Sequence, residues 1–138
     1  MSHRSLLALD VGTVRVGVAM ARAEVRVPVV LPTLSRQDEQ FWEKLKEIIM
    51  ANDIKQLVVG LPRGLDGQET EQTKYVKNFV DELTGHIALP VVWQDEALTS
   101  VQAEASLATS RKSYQKSDVD GVSASLILGD YLEGEHKA

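Results

Sequence analysis

The feature that most constrains this chain is an acid set inside an apolar strand. Residues 6–20 read LLALDVGTVRVGVAM, an apolar run of strand length with Asp10 near its end, then Gly12, then alternating Val14, Val16 and Val18. An ionised carboxylate in such a strand pays a heavy desolvation cost unless donors or a cation meet it. Gly12 lets the backbone turn sharply, and the alternating valines start a second strand. Asp also caps turns through its own backbone. The hairpin alone therefore leaves Asp10 readable either as a turn residue or as the seed of a site.

The rest of the chain decides what surrounds that hairpin. Residues 26–33 (RVPVVLPT) predict a third strand, whose two prolines suit a sheet edge. Asp38 to Met50 predicts a helix, with Phe41, Leu45, Ile48 and Ile49 at helical spacing. Gln56 to Gly60 predicts a buried strand running into a loop, residues 61–67, rich in turn formers. A helix is expected from about Thr70 to Leu83, and a fifth strand from Leu89 to Gln94, followed by Asp95 and Glu96. Thr99 and Gln102 have capping-box spacing, which predicts a helix fading near Ser110. A polar, basic loop follows, and Ser117 is placed to cap a last helix that is apolar most of the way round and so sandwiched.

Three antiparallel strands followed by strands alternating with helices predict an α/β fold. Its sheet is mixed and five-stranded, the later strands run parallel to the first through right-handed crossovers, and helices cover both faces. At 138 residues this is one domain, spanning 1–138, with a core of its own. Functional groups collect at the carboxyl ends of parallel strands in such sheets. Asp10, the Gly60 loop and Glu96 all fall at such ends.

Elimination narrows the chemistry. With no cysteine, the chain has no disulfide, no thiolate metal site and no cysteine nucleophile. The histidines at 3, 86 and 136 form no spaced pair. Gly12 and Gly17 have phosphate-loop spacing, but Val18 and Ala19 stand where Lys and Ser or Thr are required. What remains is carboxylates: Asp10, Glu96, and Asp118 or Asp120 at the start of the last helix. Clustered carboxylates without imidazole or thiolate suit Mg²⁺ or Mn²⁺, and such sites suit phosphodiester hydrolysis. Each acid also has a plain structural use, since Glu96 and Asp120 both lie near expected helix N-termini, where negative charge is favoured. The cluster of Arg111, Lys112 and Lys116 likewise fits a solvated loop.

A net charge of −5 counts against a surface that coats itself in nucleic acid, but not against a local basic patch. No apolar run reaches the roughly 18 residues of a membrane span, and Asp10 interrupts the only N-terminal one. The expectation is a soluble cytoplasmic protein with no membrane partner.

Four blocks then carry a resemblance: LDVGTVRVGVA (9–19), VGLP with Asp66 and Gly67 (59–67), DEALT (95–99), and Val119 with Asp120. Together they resemble the motifs of the YqgF family of pre-16S rRNA nucleases, also described as Holliday-junction-resolvase-like, in order across nearly the whole chain. The resemblance implies an RNase H-like fold. It implies that Asp10, Glu96 and Asp120 are the catalytic, metal-binding acids, and it selects Asp120 over Asp118. The sequence departs from the family pattern where Val14 replaces a frequent Lys, Gly64 a usual Asn, and Ala97 an Arg that commonly follows the glutamate. These changes remove positive charge where a phosphate would approach.

The leading expectation is a nuclease dependent on Mg²⁺ or Mn²⁺ that processes ribosomal RNA precursor ends, with ribosomal particles as further partners. Arg15, Gly60, Arg63, Arg111, Lys112 and Lys116 are its expected substrate-binding residues. Branched DNA is an alternative substrate, and a non-catalytic RNA-binding assembly factor is an alternative role. The motif Asp10-Val-Gly-Thr13 also resembles the phosphate motif of sugar kinases and actin-like ATPases, which need two such domains where this chain supplies one.

Overall fold

A computed structural model describes residues 4–62, 68–96 and 116–137. The hairpin forms as its sequence predicts. Strand β1 (Leu6–Val11) pairs antiparallel with β2 (Arg15–Ala21), Asp10 opposite Gly17 and Val11 opposite Val16. The turn closes through a bond of 2.9 Å from the Gly12 N–H to the Arg15 carbonyl. A Cβ at Gly12 would lie 2.7 Å from that same carbonyl oxygen, so only glycine fits the turn unstrained.

Strand β3 (Val29–Ser35) pairs antiparallel with β2 and forms one edge of the sheet. It starts three residues later than the sequence predicts. The Arg26 N–H bonds back to the Arg22 carbonyl at 2.9 Å, and Arg26 sits at φ 55°, so the chain is still turning there. Pro32 lies within the edge strand, where a missing N–H costs nothing.

Helix α1 (Phe41–Ala51) also starts later than expected. Asp38 is not its first residue: its carboxylate accepts from the Gln40 N–H at 2.9 Å and from the Lys44 ammonium, holding the approach to the helix. Strand β4 (Gln56–Pro62) runs two residues beyond Gly60, and helix α2 (Glu71–His86) ends three residues beyond Leu83. Strand β5 (Val91–Glu96) is shifted by two, so Glu96 belongs to the strand rather than to the loop after it. The last helix, α3 (Lys116–Lys137), already includes Lys116, which puts Ser117 inside its first turn rather than ahead of it as a cap. The helix expected between Thr99 and Ser110 lies outside the described residues.

The sheet order is β3-β2-β1-β4-β5, with β4 parallel to β1 and β5 parallel to β4. Strand alternation divides the core into two. On one face Leu7, Leu9, Val18, Leu57 and Val59 pack against Phe41 and Leu45 of α1 and Val76, Phe79 and Leu83 of α2. On the other face Leu6, Ala8, Ala19, Ala21 and Val58 pack against Ala124, Ile127 and Leu128 of α3. The second face is lined with small residues, so α3 sits close to the strands. A Cβ at Gly60 would lie 2.5 Å from the Ile127 Cδ1, and one at Gly121 would lie 2.7 Å from Val30 Cγ1. Helices therefore cover both faces, as the alternation of strands and helices predicts.

Candidate active site

Three elements converge at the carboxyl end of the parallel strands. The pairing of Leu9 with Val59 puts Gly60 beside Asp10, and Gly17 lies opposite it on the other side. Asp10 is half-buried and shares the α3 face with Leu6 and Ala8 by strand alternation. Its two lateral neighbours on that face are thus both glycines.

Glu96 ends β5 and pairs with Pro62. Val92 packs on the α3 side, so positions 92, 94 and 96 all belong to that face. Asp10 and position 96 are therefore on the same side of the sheet, at the ends of strands separated only by β4.

Helix α3 brings the third acid. Ile127 lies over Gly60, and the Gln56 amide donates to the Tyr131 hydroxyl at 2.9 Å, so the helix runs back toward the amino end of β4. Its start consequently lies at the carboxyl end, with the other acids. At about 100° per residue, position 120 falls on the stripe of Ala124, Ile127 and Tyr131, which faces the sheet. Position 118 falls roughly 160° away from position 120 around the helix. Helix phase thus turns position 120 toward the sheet and position 118 away from it. Among the described residues no cluster of three metal-ligating side chains is present; Glu96 and Asp120 are placed by backbone and register. The donor set offered is three carboxylates without imidazole or thiolate, which fits a hard divalent cation.

The basic residues divide. Arg15 starts β2 at this same end and is half-buried. By alternation from Val16, which faces the other core, it shares the face of Asp10. Lys116 is the first residue of α3, one helical turn before Asp120. Arg63, Arg111 and Lys112 lie outside the described residues. Gly60 is buried beneath Ile127, where it admits the close approach of α3. Val14, the departure from the family's frequent lysine, is 47% exposed in the turn beside Asp10. Its carbonyl accepts from the Arg36 N–H at 2.8 Å, tying the turn to the end of β3.

Two residues that the sequence does not single out brace the site from the opposite face. Gln72, in the first turn of α2, donates its amide to the Val11 carbonyl at 3.0 Å, next to Asp10. The Thr73 hydroxyl donates to the Pro62 carbonyl at the end of β4. Thr73 also accepts from the Thr70 N–H at 2.9 Å in a capping box, so the helix start and two strand ends form one bonded unit. Thr70 and Thr73 have a capping spacing visible in sequence; the partner carbonyls do not.

Comparison with known proteins bears on the family and the fold. A relative from Actinobacillus pleuropneumoniae serotype 5b is 36% identical over 135 residues, covering 96% of this chain and 98% of its own. A second, from Chloroflexus aurantiacus, is 35% identical over 136 residues, covering 96% and 89%. Both bear the provisional name pre-16S rRNA nuclease. Among solved structures, Thermus thermophilus RuvC in complex with a Holliday junction substrate has a TM-score of 0.57 at 13% identity, covering 96% of this chain and 97% of that one. A second Thermus thermophilus RuvC structure has a TM-score of 0.53 at 9% identity, covering 95% and 96%. At such identity the likeness shows a shared fold, the RNase H-like one. The profile of the RuvX family, described as Holliday junction resolvase, matches residues 4–134, and the chain belongs to that family.

Proposed function

We propose that this chain is a cytoplasmic, metal-dependent nuclease that hydrolyses phosphodiester bonds in the ends of pre-16S rRNA, free or within ribosomal particles. The observation that carries the reading is the convergence of positions 10, 96 and 120 on one face at one end of the sheet, with glycines flanking Asp10. A scaffold with no use for a cation gains nothing from gathering like charges there. The names of the full-length relatives favour the RNA substrate.

Asp10, Glu96 and Asp120 hold Mg²⁺ or Mn²⁺ in this reading. Bound metal supplies an activated water and stabilises the attacking and leaving oxygens of an in-line displacement. The chain's own residues do the rest. Gly60 lets Ile127 press close to β4, which brings the start of α3 to the strand end that carries Asp10. Arg15 and Lys116 flank that end with positive charge, and Arg63, Arg111 and Lys112 extend the hold along the backbone. Gln72 and Thr73 keep the ends of β1 and β4 in register, so the acids stay at a fixed separation. With Val14 and Ala97 in place of a lysine and an arginine, the chain holds substrate weakly while its acids are retained. Slow turnover at high enzyme concentration is the expected behaviour.

Branched DNA is the second substrate reading, favoured by the family's description. One experiment tests both: purified protein is incubated with a precursor-rRNA fragment and with a four-way DNA junction, in Mg²⁺, Mn²⁺ or chelator. Cleavage of the RNA, lost in chelator and in each of Asp10→Asn, Glu96→Gln and Asp120→Asn but retained in Asp118→Asn, is the expected result. Preferential cutting of the junction transfers the assignment to DNA. If wild type and the triple acid variant are equally inert yet both bind RNA, the chain is a non-catalytic RNA-binding factor.

A further inference from the structure

One buried polar atom near the acids has no use in the fold as described. Ser123 of α3 is fully buried, and its hydroxyl has no hydrogen-bond partner among the described residues. Serine inside a helix ordinarily satisfies its hydroxyl on a carbonyl three or four residues back. Ser125 does this, donating to the Val122 carbonyl at 3.0 Å. Ser123, two residues earlier on the same helix, does not. A buried hydroxyl left without a partner is costly, and alanine in its place would avoid the cost.

Its place in the helix says what the hydroxyl faces. Gly121 marks the flank of α3 that touches β3, through Val30, and Ile127 marks the flank over β4, at Gly60. At about 100° per residue, Ser123 lies on the Ile127 side, roughly 160° from Gly121. It is also one turn nearer the start of α3 than Ile127. The helix runs opposite to β4, so that turn carries Ser123 from Gly60 toward Pro62, the residue paired with Glu96. Asp120 is one turn further still. The unpartnered hydroxyl is therefore set between the positions of two of the three acids.

We propose that Ser123 is a positioning residue of the acidic site, whose hydroxyl donates to the carboxylate that β5 delivers at position 96. The inference rests on the reading of those acids as cation ligands. A hydroxyl donated to the outer oxygen of a carboxylate favours its ionised form and fixes its orientation. Loss of such an outer-shell partner typically weakens metal binding about 10–100-fold. Ser123 touches no substrate in this scheme.

Mn²⁺ titration of the purified chain, followed by thermal unfolding and by calorimetry, tests the idea without any nucleic acid. Wild type, Ser123→Ala, Ser123→Cys and Asp120→Asn are compared. Ser123→Ala should unfold at or above the wild-type temperature in chelator, yet need at least about tenfold more Mn²⁺ for half of the metal-induced shift. Ser123→Cys keeps the shape but weakens the donor, so it should follow the alanine variant in metal affinity. Asp120→Asn should lose most of the shift. If Asp120→Asn loses it while both Ser123 variants bind Mn²⁺ like wild type, the role of Ser123 is overturned and the acid reading stands. If Ser123→Ala unfolds at lower temperature in chelator with unchanged Mn²⁺ affinity, the serine is a packing residue. If wild type itself shows no shift, the cation reading fails and the proposal with it.

Discussion

Gly60→Ala gives a stringent test of how α3 is seated. The new Cβ would lie 2.5 Å from Ile127 Cδ1 and 3.1 Å from Cγ1, where ordinary contact begins near 3.4 Å. Ile127 is 1% exposed and is packed among Leu6, Ala8, Val58 and Leu128, so its side chain has little room to withdraw. Overpacking of this kind costs about 1–3 kcal/mol. Ile127→Val alone removes Cδ1 and should cost about 0.5–1.5 kcal/mol as a small cavity. In the Gly60→Ala background the same change removes the clashing atom, so its cost should vanish or reverse. The two substitutions together should then be about 1 kcal/mol or more better than their sum, well outside the roughly 0.3–0.5 kcal/mol scatter of independent sites. Urea unfolding of the four proteins measures the cycle, provided the m-value is common to all four. Additive effects, or a neutral Gly60→Ala, would refute the close seating of Ile127 on β4. Because α3 carries Asp120, Gly60→Ala should also slow cleavage beyond what its unfolded fraction explains.

Other expectations concern single contacts. Gln72→Leu removes the bond to the Val11 carbonyl and should cost about 0.5–1.5 kcal/mol, with a larger relative loss of turnover than of stability; equal activity would show that the end of β1 needs no brace. Changing Arg111, Lys112 and Lys116 together to Gln should weaken binding of every RNA sequence alike. The slope of log affinity against log salt should fall by about three or less, and an unchanged slope would place the phosphate contacts elsewhere. The Lys44 ammonium, and then the Gln40 N–H, hold the Asp38 carboxyl below the usual carboxylate range. A depressed folded pKa adds stability above the unfolded value, near 3.9, and that contribution disappears as pH falls through the folded one. Lys44→Gln should raise the Asp38 titration midpoint by NMR; an unmoved midpoint would assign the depression to the Gln40 N–H alone.

How legible the molecule was depends on the range of the forces at each position. The hairpin and the acid at its end were readable because alternation and a glycine turn are local properties of residues 6–20. The mixed sheet, antiparallel and then parallel, followed from connection rules, and the candidate acids from elimination and family motifs. The misplaced boundaries have one kind of cause. Arg26 turns through a bond to Arg22, and Asp38 spends its carboxylate on Gln40 and Lys44, choices no periodicity records. The shift of β5 is similar: Leu89 and Pro90 look like strand, but Pro90 serves with its carbonyl, accepting the Leu57 N–H at 2.9 Å before the strand begins. Gln72 and Ser123 were invisible for a different reason. Each matters through a distant partner, present for one and missing for the other, and residue type alone signals neither. The glycines at 17 and 60 carry meaning only once register puts them on either side of Asp10.

The bond between Tyr131 and Gln56 gives the last helix a fixed point at the end of the molecule remote from the acids. From Tyr131 back to position 120 the helix is a stiff rod about 16 Å long, at a rise of 1.5 Å per residue. A tilt of roughly 4° about the anchored end would swing the tip by about 1 Å, the scale of misplacement that can cost a catalyst about a hundredfold. Ile127, wedged against Gly60 part-way along, acts as the fulcrum that limits the swing. Shortening Tyr131 to Phe would loosen the mooring without touching the acids. The spacing of those acids is thereby adjustable from the far end of the same face, by residues that never meet the substrate.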